Sequence, residues 1–196
     1  MSVLTRLIEQ AKNPRGFVGS SMLCIMNAAH TNMAKWAFSK VNISKHARML
    51  DIGCGGGKTI HTLSKMNSNG KIYGIDYSKQ AVENSIKLNK KDVDSGKVLI
   101  KQASVSAMPF SNDFFNIITA FQTHYFWPDL ENDVKEVFRI LKPNGYFLIV
   151  AELYKINYHM TKFKTKTDIE KLLKETGYNN VIFHEYRGSI CVVARK

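Results

Sequence analysis

Three glycines at alternate positions, Gly53, Gly55 and Gly57, follow the apolar run Met49-Leu50-Asp51-Ile52 and precede a helical pattern that begins at Lys58. Without Cβ atoms, such a turn lets the chain reverse sharply and brings its amides close to a ligand. Several ligand classes use turns of this kind, and counting separates them. A nicotinamide dinucleotide loop, GxGxxG, would need its third glycine where Lys58 stands; a triphosphate loop, GxxxxGK[ST], would need its first at Ile52. Both fail by count. What fits is an acid before the glycines, Asp51, and a second acid, Asp76, at the end of the next apolar run. The first would repel a polyphosphate but suits an amino group, directly or through water. The second can accept two hydrogen bonds from the hydroxyls of a ribose. A cation carrying ribose, an ammonium and a sulfonium matches this pair. Cys54 sits inside the turn, where a small residue is wanted, and is read as packing rather than as a nucleophile.

The elements that must hold these residues alternate between β and α patterns from residue 49 onward. Strands are predicted at 49–52, 71–76, 98–101, 115–120 and 146–150. Val181 to Tyr186 and Ile190 to Ala194, separated by Arg187-Gly188-Ser189, read as an antiparallel hairpin. Helices are predicted at 58–65, at 79–91, along the face Leu130, Val134, Val137, Phe138 and Leu141, and at 168–175. Lys142-Pro143-Asn144-Gly145 should stop the third of these. Residues 1–45 carry helical periods only and read as an N-terminal helical cap over a core at 46–196.

A chain of 196 residues with 44% hydrophobic content supports one domain with one substantial core. It has no long apolar run, and Glu9 and Lys12 interrupt any signal-type segment, so no membrane association and a cytoplasmic location are expected. Cys24, Cys54 and Cys191 are widely spaced and read as reduced thiols; His46, His61 and His184 are isolated, and no metal is implied. The net charge of +12 raises the question of nucleic acid. Its densest run, Lys155 to Lys166, has no acid and reads as a solvated lysine-rich loop.

Taken in order, these segments resemble the class I S-adenosylmethionine-dependent methyltransferases, specifically the methyltransferase domain 11 type. Leu50 to Gly57 resembles the family's first motif and Gly74-Ile75-Asp76-Tyr77-Ser78 its second. Met108-Pro109-Phe110 and Phe115-Asn116-Ile117-Ile118 resemble its LPF and FDxV segments. Glu136 to Gly145 resembles its helix and turn before the fifth strand. The resemblance implies a Rossmann-like α/β fold: a mostly parallel seven-stranded sheet ending in an antiparallel hairpin, with helices on both faces. It implies S-adenosylmethionine as cofactor, held by Asp51, Gly53, Cys54, Gly55, Gly57, Asp76, Tyr77, Ser104, Val105 and Phe121. Three positions depart from the pattern. Ser104 stands where an acid usually meets the adenine amino group, Asn116 replaces an aspartate, and Asn144 replaces a glycine.

The resemblance also places the methyl acceptor near the end of the fourth strand, along Phe121 to Pro128. There His124, with an ordinary pKa of ~6.5, and Tyr125 are the catalytic candidates. His30, His124, Tyr125 and Trp127 are the acceptor-binding candidates, with Phe17 and Asn27 as further cap positions; Tyr125, Phe126 and Trp127 could wall a cationic methyl group. The expected acceptor is a small molecule. The competing readings are a nucleic-acid methyltransferase, whose Asn-Pro-Pro-Tyr type of motif is missing after Thr119-Ala120-Phe121, and a non-catalytic binding protein. A monomer or a homodimer is expected.

Overall fold

The structure, a computed structural model, describes residues 32–196. Its strands are β1 (Arg48–Ile52), β2 (Lys71–Asp76), β3 (Val98–Gln102), β4 (Phe115–Phe121), β5 (Leu141–Glu152), β6 (Asn180–Tyr186) and β7 (Ser189–Arg195). They form one sheet in the order β3-β2-β1-β4-β5-β7-β6, parallel throughout except that β7 runs antiparallel to both β5 and β6. The helices are α1 (Lys58–Met66), α2 (Lys79–Leu88), α3 (Lys90–Asp94), α4 (Leu130–Ile140), α5 (Leu153–His159) and α6 (Lys166–Thr176), with a 3-10 turn at His124–Phe126.

Both faces of the sheet are covered, which is why its central strands read as nearly continuous apolar runs. Alternation sorts their side chains. Met49, Ile117 and Leu148 join Ile60 and Leu63 of α1 on one face, while Leu50, Ile118 and Phe147 join Val134 and Val137 of α4 and Leu173 of α6 on the other. Residues 32–38 are helical and press Ala34, Ala37 and Phe38 onto the first face, where the Phe38 ring meets Phe121 edge-on at 5.4 Å. The remainder of the expected cap, with Phe17, Cys24, Asn27 and His30, lies outside the described residues.

Several boundaries differ from expectation, each for a local reason. The helix expected over 79–91 stops at Leu88, because the Asn89 side chain turns back to donate to the carbonyls of Gly57 and Ser85, and α3 starts afresh. β5 begins at Leu141 rather than at Tyr146. Its pairing with β4 jumps from Phe115–Leu141 to Ile117–Tyr146, so Pro143-Asn144-Gly145 forms a bulge, with Asn144 at φ 65°. The expected lysine-rich loop begins as helix and runs on as loop from Met160 to Thr165: α5 buries Ile156, and Met160 packs just beyond it. α6 opens at Lys166 instead of 168, because Thr165 and Asp168 form a reciprocal capping box. Asn116, standing for the family's aspartate, accepts the Arg48 N–H at 2.9 Å and is structural.

α4 also secures the segment Met108-Pro109-Phe110. Glu136 accepts the Met108 N–H at 2.9 Å, while Arg139 donates to the carbonyls of Phe110 (2.8 Å) and Met108 (3.3 Å) and pairs with Glu136 at 2.7 Å. Arg139→Ala should cost about 1–3 kcal/mol, since it strands several acceptors at once, and should lower the denaturant midpoint without changing its slope. Among the described residues no helix is long and apolar enough to cross a membrane.

Candidate cofactor and acceptor site

The chain order reverses between β1 and β4. β2 and β3 lie to one side, β5 to the other, and this reversal opens a crevice at the carboxyl edge of the sheet. Asp51, Asp76 and the glycine turn meet there.

Asp51, last but one in β1, is fully buried. Thr119 of β4 lies opposite it in register and donates its hydroxyl to Asp51 Oδ1 at 2.7 Å. Burial pushes the Asp51 carboxyl up to about 7, against the Thr119 hydrogen bond and helped by the negative charge of Asp76. Asp76, at the end of β2, takes the Ser78 N–H on one oxygen and the Gly55 N–H on the other, both at 2.9 Å. Burial raises its carboxyl as well, opposed by those two amides. The second acid thus pins the glycine turn that the first acid precedes. Among the described residues no ion pair reaches either carboxylate. Two buried acids without a cation are a costly arrangement on their own, and one that a cationic, hydroxyl-bearing ligand would complete.

The glycines have separate tasks. Gly53, at φ 68°, reverses the chain, and both its N–H (2.8 Å) and that of Cys54 (3.0 Å) donate to the Ile75 carbonyl. A Cβ there would stand 2.5 Å from Thr123 Cγ2, so the turn lies directly against the segment that follows β4. Gly57 is the N-cap of α1 at φ 82°, where a Cβ would overlap Ser85 of α2; it serves helix packing. Cys54 is buried against Gly74, and its thiol is held well above the ordinary value by burial and then by Asp76 and Asp51, as a packing role requires. Beyond β2, Tyr77 is exposed. After β3, Ser104 Oγ accepts the Ser106 N–H at 3.2 Å, and Val105 is buried beside Ile52 and Ile75. Phe121 lies on the opposite core face with Phe38.

The acceptor candidates divide differently. His124 is buried, its Nδ1 has no hydrogen-bond partner, and burial lowers its pKa to about 3. The ordinary imidazole value near 6.5 does not hold for this buried ring. At neutral pH the ring is uncharged. The Tyr125 hydroxyl donates to Gln122 Oε1 at 3.0 Å, and burial, then Glu152 and Tyr154, hold its phenol above the ordinary range, so it stays neutral too. Trp127 is half-buried and stacks on Phe147 at 6.3 Å and 16°, against the α4 face of the core. His159 of α5 packs on the same 3-10 turn. It stacks on Tyr125 at 5.0 Å and 8° and meets Phe126 edge-on at 4.8 Å. His159, Gln122, Glu152 and Thr119 carried no spacing signal, since each acts through a partner far away in sequence.

The family model of the methyltransferase domain matches residues 43–185. A protein of Bacillus subtilis (strain 168) that bears the name methyltransferase YrhH is 27% identical over 156 residues, spanning 80% of this chain and 82% of its own. The demethylmenaquinone methyltransferase of Lactobacillus johnsonii is 24% identical over 178 residues, spanning 74% and 73%. A solved S-adenosylmethionine-dependent methyltransferase from Aquifex aeolicus shares the fold with a TM-score of 0.73 at 17% identity, over 90% of this chain and 97% of that one. The family model covers well over half of the chain, and the chain belongs to the methyltransferase-domain family as a class I S-adenosylmethionine-dependent methyltransferase.

Proposed function

We propose that this enzyme methylates a small-molecule acceptor docked at the carboxyl ends of β4 and β5, against Tyr125, Phe126 and His159. The observation that carries the reading is that aromatic wall, built from the 3-10 turn and α5 and set beside the crevice that Asp51 and Asp76 mark. The Lactobacillus relative is named for a small-molecule acceptor, which supports the same reading.

When bound, S-adenosylmethionine supplies an electrophilic methyl group on a sulfonium. Asp51 would face the ammonium and Asp76 the ribose hydroxyls, with Gly53 and Gly55 giving the backbone its close approach. The wall's task is to align the acceptor atom and exclude water. With its proton given to Gln122 and its phenol held neutral, Tyr125 supplies no base, so an acceptor that arrives already nucleophilic suits the site. Thiols, phenols and amines that ionise near neutrality fit.

The nucleic-acid reading gains no support from the basic run. Lys155 pairs with Glu152 at 2.7 Å, Lys166 with Glu185 at 2.6 Å, and Lys164 donates to the Asn157 carbonyl. The unpaired thiols of Cys54 and Cys191 fit a reducing cytoplasm. A mixed acceptor panel, read as S-adenosylhomocysteine release with and without RNA, tests the proposal. Release is expected with small acceptors and unchanged by RNA; release only with RNA would overturn it.

A further inference from the structure

Gln122 follows β4 with φ 59°, in the left-handed region, and is nonetheless 2% exposed. A buried, non-glycine residue in that conformation persists only where its surroundings hold it. Its backbone N–H donates to the Val150 carbonyl at 2.8 Å. Its amide is fully committed: Oε1 accepts from the Tyr125 hydroxyl (3.0 Å) and the Glu152 N–H (3.3 Å), and Nε2 donates toward Glu152 Oε2 (3.4 Å) and Met33 Sδ (3.3 Å). Glu152 in turn holds Lys155 at 2.7 Å. Only a side chain with both an acceptor and two donors satisfies this set, and glutamine has them.

We propose that Gln122 is a positioning residue for methyl transfer: it fixes the Tyr125 hydroxyl and joins it to Glu152, so that β4 and β5 together set the acceptor's side of the site. The inference rests on the reading that the acceptor docks against Tyr125. With its proton committed to Gln122, the Tyr125 oxygen can only accept. It therefore favours acceptors that carry an N–H or O–H donor beside the atom to be methylated.

The test uses the full chain labelled with 13Cζ-tyrosine, the Tyr125 signal being assigned by its loss in Tyr125→Phe. Gln122→Asn is too short to reach the hydroxyl, whereas Gln122→Glu, made together with Glu152→Gln so that the new carboxylate faces an amide and not a second carboxylate, offers it a charged acceptor. The Tyr125 signal should therefore move in opposite senses in the two variants, while S-adenosylmethionine affinity by calorimetry is unchanged. General loosening of the fold would move it the same way in both. With an acceptor that turns over, Gln122→Asn and Tyr125→Phe should each lower kcat by between about tenfold and a hundredfold, and the double variant no further. An unmoved signal, a shift in one common sense, or losses that multiply would overturn the proposal. Failure of the small-molecule reading alone would leave the spectroscopic result intact.

Discussion

A Gly53→Ala variant is expected to bind S-adenosylmethionine at least about tenfold more weakly than the wild type, and to melt at a lower temperature. Two costs add at this position. The backbone sits at φ 68°, where a side chain costs about 1–2 kcal/mol. The new methyl group would stand 2.5 Å from Thr123 Cγ2, an overlap of the kind that costs about 1–3 kcal/mol. Thr123 cannot simply swing aside, because its hydroxyl donates to the Ile52 carbonyl at 3.1 Å. The turn would move instead, and with it the Gly55 N–H that Asp76 holds. Gly188→Ala is the control: φ 75° at the β6–β7 turn, with no atom within 4 Å of the added carbon. It should carry the backbone cost and leave cofactor affinity alone. Equal affinities for Gly53→Ala and the wild type would mean that the turn does not touch the ligand.

The second large effect is a pH dependence seated at Asp51. In the unfolded chain its carboxyl ionises near 3.8; in the folded protein burial raises this to about 7. Between those values the folded state keeps a proton that the unfolded state has lost. Stability contributed by this group is therefore greatest at low pH, declines as pH rises from about 4 to about 7, and is level above that. The full decline is at most about 4 kcal/mol. Asp76, raised by burial, adds in the same sense. A cationic amino group beside Asp51 reverses the preference by favouring the carboxylate. Cofactor binding should then release a proton below pH 7 and tighten as pH rises from 6 to 8. Asp51→Asn keeps the shape and the Thr119 hydrogen bond but not the charge. It should melt higher than the wild type at pH 8 without added cofactor, lose most of the slope, and bind S-adenosylmethionine about tenfold to a hundredfold more weakly. Melting curves at pH 5, 6, 7 and 8, with and without cofactor, read all three. A wild-type midpoint that rises across this range would contradict the burial of an uncompensated Asp51.

The sheet was largely legible in the sequence because its central strands are apolar on both faces and punctuated by turn residues. β1 and β2 each carry their own acid at the edge, so Asp51 and Asp76 could be found by counting. α5 was not legible. It is seven residues long and buries only Ile156, too short a helix for periodicity to show. Gln122 reads as an ordinary polar loop residue until its φ and its link to Glu152, thirty positions on, are known. The environment of His124 was hidden for a related reason. Residue type alone gives the imidazole its solution pKa, and it is burial that lowers it.

Titration calorimetry of the wild type, Asp76→Ala and Gly55→Arg with S-adenosylmethionine tests most directly that the acid–glycine–acid constellation is a cofactor site. Saturable one-site binding is expected for the wild type, weakened in Asp76→Ala and abolished in Gly55→Arg, with all three proteins folded by circular dichroism. No heat with the folded wild type, or binding untouched by both substitutions, would contradict it.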